Sequence, residues 1–226
     1  MLTFASQPLT VGAITDKEAL GCNFAPTSVD LIELRLDALG NDDLVINFAK
    51  QHHETIPLLI TARDPIEGGL NSLSFELRLE FLQTLLPYAS ALDVELNNFE
   101  AYEPLLSEAR LKDIKIVLSQ HDFKGFDHIN TIASLARAQT LGADVAKAAV
   151  TLKDPLELTL YESLLADMND APFSLMGMGQ YGPVSRLLAA QHGSLLNYGY
   201  LGKEATAPGQ WPAHLLKQVL AHSPRI

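Results

Sequence analysis

Short apolar runs rich in β-branched residues alternate along the chain with longer stretches in which apolar residues recur at helical spacing. The runs Leu9–Ile14, Val29–Leu36, Ile56–Thr61, Ala91–Leu96, Ile114–Ser119, Asp144–Val150, Phe173–Met178 and Leu195–Tyr200 predict eight strands. Between them Asp42–His52, Ser74–Leu86, Tyr102–Leu111, Ile129–Leu141, Pro155–Met168, Val184–His192 and Pro212–His222 predict helices, and Asp16–Leu20 predicts a short one after the first strand. In Ser74–Leu86, Ser74 stands where an N-cap belongs; Glu76, Arg78 and Glu80 fall between the apolar positions Phe75, Leu77, Leu79, Phe81, Leu82 and Leu85. Strand–helix alternation points to a parallel sheet, and eight repeats favour an α/β fold closed as a (β/α)8 (TIM) barrel over a doubly wound open sheet. No linker or low-complexity stretch divides the chain, so residues 1–226 are expected to form one barrel domain.

Strands buried on both faces should be apolar throughout. Several here are not. Glu33, Arg35 and Asp37 alternate in the second, Asp93 and Glu95 in the fourth, and Lys147 stands among Val145, Ala146, Ala148, Ala149 and Val150 in the sixth. Alternate strand positions share a face, so each set can line the barrel interior. Interior ion pairs would explain the carboxylates and arginines. For Lys147 two readings stand: an ion pair with an interior carboxylate, or a desolvated amine whose ammonium form is disfavoured and which can attack a ketone. His121 lies just after the fifth strand, at the mouth where barrel active sites sit, though a lone histidine there also suits a plain surface position. Arg63 and Glu67 lead into the pair Gly68-Gly69, and the glycines between Met176 and Gly182 lead to Ser185-Arg186, where a helix start and a guanidinium suit a carboxylate. Ala207-Pro208-Gly209-Gln210 follows the last strand and can serve as a closing loop.

Charge narrows the partners. With 16 basic and 27 acidic residues the net charge is −11, a surface that repels nucleic acid and anionic membranes, so an anionic ligand needs arginines gathered in one pocket. The single cysteine, Cys22, allows no intrachain disulfide, and Met1–Gly12 does not read as a secretory signal; both fit a cytoplasmic protein. No apolar stretch reaches membrane-spanning length, and no His/Cys/Asp spacing predicts a metal site.

Taken together, seven segments resemble the type I 3-dehydroquinate dehydratases nearly end to end. They are Ile32–Asp37, Thr61–Arg63 with Glu67–Gly69, Asp93–Glu95, Ser119–Phe123, Asp144–Lys147, Met176-Gly177 with Ser185-Arg186, and Ala207–Gln210. The resemblance implies a metal-free and cofactor-free hydro-lyase that converts 3-dehydroquinate to 3-dehydroshikimate, the third step of chorismate biosynthesis. It implies Lys147 as the imine-forming lysine, His121 as general acid/base and Glu67 as the group that orients or tunes it. Glu33, Arg35 and Arg63 match residues around the substrate hydroxyls, Arg186 the arginine for its carboxylate, and Thr206 and Gln210 a loop that closes on it. Asp93 and Glu95 match a carboxylate pair near rather than at the reacting carbons. Relatives of this kind are often dimers, so a homodimer is expected, and the chain's end soon after the last predicted helix leaves no room for a fused partner domain. Two departures stand out: Thr206 where many relatives have serine, and Asp64 where small polar residues are common, which adds negative charge beside the mouth. A class I aldolase would share the lysine but need a sugar-phosphate site; a silent binding barrel would be expected to have lost Lys147 or His121.

Overall fold

The computed structural model describes residues 7–22, 28–168 and 171–223. Of the opening segment that does not read as a secretory signal, residues 1–6 lie outside the described residues.

Eight strands form one parallel sheet: β1 (Leu9–Ile14), β2 (Leu31–Arg35), β3 (Leu58–Thr61), β4 (Ala91–Glu95), β5 (Lys115–Asp122), β6 (Val145–Thr151), β7 (Phe173–Met178) and β8 (Leu196–Leu201). Their order is β7-β6-β5-β4-β3-β2-β1-β8, so sequence neighbours are spatial neighbours and β1 bridges the chain's two halves. The last seam, between β7 and β8, is drawn together by Leu195 N–H donating to Phe173 O at 2.9 Å and by Ser174 Oγ donating to Leu196 O. The result is the nearly closed barrel that the eightfold alternation predicts.

The crossovers are α1 (Lys17–Leu20), α2 (Leu36–Leu39), α3 (Asp43–His52), α4 (Phe75–Leu85), α5 (Phe99–Leu111), α6 (His128–Thr140), α7 (Pro155–Ala166), α8 (Gly182–Gln191) and α9 (Ala213–Ala221). Several starts are set by side chains that take an otherwise unpaired backbone N–H. Asp42 accepts from Val45, Ser74 from Leu77, Asp127 from Asn130 and Asp154 from Glu157.

Strand alternation divides the core in two. Val11, Leu31, Leu59, Ala91, Val117, Val145 and Leu196 point inward and seal the N-terminal end of the barrel. Ile32, Leu34, Ile60, Leu92, Val94, Ile116, Leu118, Ala146 and Ala148 point outward and pack under the helices. One step further along the inward faces of β2 to β6 the polar side chains begin.

Three expectations change. β2 stops at Arg35, and Asp37 sits in the α2 turn rather than third on a strand face. Its carboxylate accepts from Arg35 Nε and one terminal nitrogen of the same guanidinium (2.9 and 2.8 Å) and from the backbone N–H groups of Arg63 and Leu70, which an extended Asp37 would not gather. β5 continues through Asp122, because β6 supplies ladder partners for Gln120, His121 and Asp122; His121 is therefore a strand residue, not a loop residue. In α4 the polar Arg78 is buried while Leu77 is exposed, since Arg78 reaches Asp64 at 2.6 Å.

Candidate active site

The inward faces put functional groups in two tiers above the apolar floor. The lower tier holds Glu33 (β2), Thr61 (β3), Asp93 (β4), Ser119 (β5) and Lys147 (β6); the upper holds Arg35, Arg63, Glu95 and His121. Each upper residue lies on, or two residues beyond, the strand that bears its lower neighbour, so the tiers follow from period-two alternation.

Lys147 is 5% exposed, and its Nζ donates to Asp93 Oδ2 at 2.7 Å. On its other side Nζ lies 4.0 Å from the centre of the Tyr198 ring, carried by β8. Arg63 ties the wall together: one guanidinium nitrogen donates to Asp93 Oδ1 at 2.8 Å and the other to Glu95 Oε1 and Ser119 Oγ, both at 2.7 Å. Ser119 Oγ donates onward to Asp93 Oδ1 at 2.6 Å, and Thr61 Oγ1 to Glu33 Oε1 at 2.8 Å. The ion-pair reading of Lys147 is seen directly, and the same side chain faces a cavity. Burial pulls its pKa down, Asp93 pulls it back up and Arg63 adds to the lowering; the net is a decrease. Burial would raise Asp93, yet the Arg63 and Lys147 cations outweigh it and hold the carboxylate below its usual range.

Glu67 and His121 form the second unit. Glu67 Oε2 accepts from the backbone N–H of His121 at 3.0 Å and lies 3.1 Å from its Nδ1. Asn97 Nδ2 donates to the other Glu67 oxygen at 3.4 Å. Burial opposes charge on both partners: it pushes Glu67 up to about 7 and, with the Arg63 and Lys147 cations, drives His121 well below its usual value. The imidazole is then neutral. A proton on Nδ1, toward Glu67, leaves Nε2 as a lone-pair base for the pocket.

Arg186, in the first turns of α8, is unlike the other cations. It is 2% exposed, yet among the described residues no carboxylate pairs with it. One nitrogen donates to Tyr198 O at 2.9 Å and Nε has no partner. Burial lowers its pKa to about 10. α8 comes this close to β7 because Gly177 has no side chain; a Cβ there would meet Ser185 Oγ at 2.3 Å. The loop after β8 brings Thr206 and Gln210, whose Oε1 accepts from the Thr206 N–H at 2.8 Å and from its hydroxyl at 2.6 Å.

All nine expected site residues line one cavity: Glu33, Arg35, Arg63, Glu67, His121, Lys147, Arg186, Thr206 and Gln210. Asp64 does not. Its carboxylate turns away to Arg78 and Asn98, so the expected extra charge at the mouth is neutralised against α4. The sequence reading missed Tyr198, Met176, Met178 and Ala149 as lining groups, and Ser119 and Thr61 as supports. Ser119 could have been found as the residue two before His121 on one strand; Tyr198 carried no signal beyond its place in a strand.

A family model described as type I 3-dehydroquinase matches residues 8–225. A 3-dehydroquinate dehydratase of Clostridium kluyveri is 34% identical over 212 residues, spanning 86% of this chain and 82% of that protein. One of Methanothrix thermoacetophila is 32% identical over 211 residues, spanning 91% and 87%. Among solved structures, the type I 3-dehydroquinate dehydratase of Clostridium difficile with covalent modified comenic acid is similar at a TM-score of 0.81 and 27% identity, covering 96% of this chain and 92% of that one. The 3-dehydroquinate dehydratase of Geobacillus kaustophilus shares the fold at a TM-score of 0.82 and 23% identity, covering 96% and 91%.

Proposed function

Because the chain belongs to the type I 3-dehydroquinase family, hydro-lyases that dehydrate 3-dehydroquinate in the shikimate pathway, we propose that Lys147 forms an imine with that substrate and that His121 moves the protons of the elimination. The observation that carries this reading is the convergence of a buried amine, a neutral imidazole and an uncompensated guanidinium on one cavity.

A proton α to a ketone is a weak acid. Replacing the carbonyl oxygen by a protonated nitrogen supplies an electron sink, so Lys147 is the nucleophile. His121 Nε2 takes the α proton and returns one to the departing β-hydroxyl, which suits a syn elimination on one face of the ring. Glu67 holds Nδ1 and so fixes both ring orientation and tautomer. Arg186 takes the substrate carboxylate, which completes its hydrogen bonding and fixes the ring. Glu33, Arg35 and Arg63 border the hydroxyls, and Thr206 and Gln210 close the loop side. Arg186 also favours this over an aldolase: one guanidinium facing an apolar wall suits a carboxylate better than a sugar phosphate. A homodimer working in the cytoplasm completes the reading, and sedimentation tests its assembly. No helix among the described residues is long and apolar enough to cross a membrane.

Borohydride reduction in the presence of 3-dehydroquinate or its product tests the imine. A stable adduct on the peptide bearing Lys147 is expected; an adduct elsewhere, or none, sinks the assignment.

A further inference from the structure

The ion pair at Lys147 and the aromatic ring opposite it have no role in the scheme above. Asp93 cannot swing: Oδ1 is held by Arg63 at 2.8 Å and by Ser119 at 2.6 Å, which leaves Oδ2 facing Lys147 at 2.7 Å. From the other wall the Tyr198 ring stands 4.0 Å from the same nitrogen. The Tyr198 hydroxyl is buried without a partner among the described residues. No hydrogen bond of its hydroxyl therefore fixes the ring's place, and its face is the part in use.

We propose that Asp93 and Tyr198 form a cation cage around the Lys147 nitrogen, which keeps the imine protonated through the reaction. This rests on the imine reading and says how that imine is kept reactive. The chemistry balances without an added proton. An ammonium and a ketone give an iminium and water; nitrogen keeps one of its three protons, and the other two leave with the carbonyl oxygen. The nitrogen carries one positive charge before and after, so a cage that fits the resting ammonium also fits the iminium. The surviving N–H can donate to Asp93 Oδ2, and the ring face attracts the delocalised cation at a nitrogen whose residue is buried. A ketimine that lost this proton would be a poor electron sink. The other charged or titratable groups facing the nitrogen are Arg63 from just past β3, which opposes the cation, Glu33 from β2, which favours it, and the neutral His121 from β5.

Removing either wall should make the imine lose its proton at lower pH. In Tyr198→Leu, which leaves every ion pair intact, the alkaline limb of kcat should move down by about one pH unit, so that kcat falls by up to about tenfold at pH values above the wild-type limb. Tyr198→Phe retains the ring and should retain the wild-type limb. Asp93→Asn should shift the limb in the same direction and further; if that variant fails to fold because Arg63 loses its partner, the Tyr198 pair decides. Purely structural damage would lower kcat without moving the limb, so a Tyr198→Leu limb that superimposes on the wild type's overturns the cage. Borohydride trapping of the wild type separates the two proposals: no adduct at Lys147 overturns the imine and the cage together, whereas a normal adduct with unshifted limbs overturns the cage alone.

Discussion

The barrel interior has two unlike walls. From β2 to β6 the inward groups form an ionic network, Arg35 with Asp37, Arg63 with Asp93 and Glu95, and Lys147 with Asp93, in which Glu95 Oε2 is buried without a hydrogen-bond partner among the described residues. From β7 round to β1 the inward groups are Met176, Met178, Tyr198, Val11 and Ala13, and the one cation on that side, Arg186, has no acidic partner among the described residues. Buried charges are costly unless paired. The paired wall meets that cost within the protein and so holds its groups still. The other wall leaves one charge open, which a ligand carboxylate would complete. On the proposed reading, the difference separates groups held in place by their partners from the one cation left for the substrate carboxylate.

Mutations should separate the walls in kind as well as in size. His121→Ala should lower kcat by about 10²–10⁴-fold while leaving the imine trappable, since it removes proton transfer and not the nucleophile. Steady-state rates and borohydride adducts on one preparation check this, and near-normal turnover would refute the role. Arg63→Met leaves Glu95 in the interior without its cation and Asp93 with Lys147 alone, and should cost about 3–5 kcal/mol of stability, read by urea unfolding. Arg186→Met should do the reverse. The unliganded protein should be no less stable than wild type, because a desolvated cation is replaced by an apolar side chain, while KM rises about 10–100-fold through the lost charged hydrogen bonds. If Arg186→Met unfolds as readily as Arg63→Met, the two walls are alike and the distinction fails.

The smallest effect is a pH dependence. Glu67 has its carboxyl raised from 4.5 to about 7 in the folded protein, by burial first. A raised group binds its proton more tightly when folded, so its stabilising contribution is full below pH 4.5 and is lost as pH climbs through about 7. Glu67→Gln cannot titrate. Its melting temperature relative to wild type should improve steadily from pH 4.5 to 7 and then level off. A difference flat across that window would show that Glu67 is not raised.

The pattern of apolar runs and caps determined the barrel and the strand and helix order, because eight alternations of period two and period 3.6 admit few closed solutions. It also made the polar intruders Glu33, Arg35, Asp93, Glu95 and Lys147 visible, since each breaks an otherwise apolar strand. What it left undecided needed contacts between residues far apart in the chain. The sequence shows that Lys147 is out of place; only the sheet register brings Asp93, 54 residues away, to 2.7 Å of its nitrogen. It shows Asp64 as an added charge; only the packing of α4 turns that charge onto Arg78. It gives no hint that Tyr198 matters, since a tyrosine in a strand is ordinary until the barrel closes and sets its ring against a cation from the opposite wall. Local periodicity fixes which face a side chain takes, whereas its partner, its burial and hence its protonation depend on what the closed barrel puts across from it.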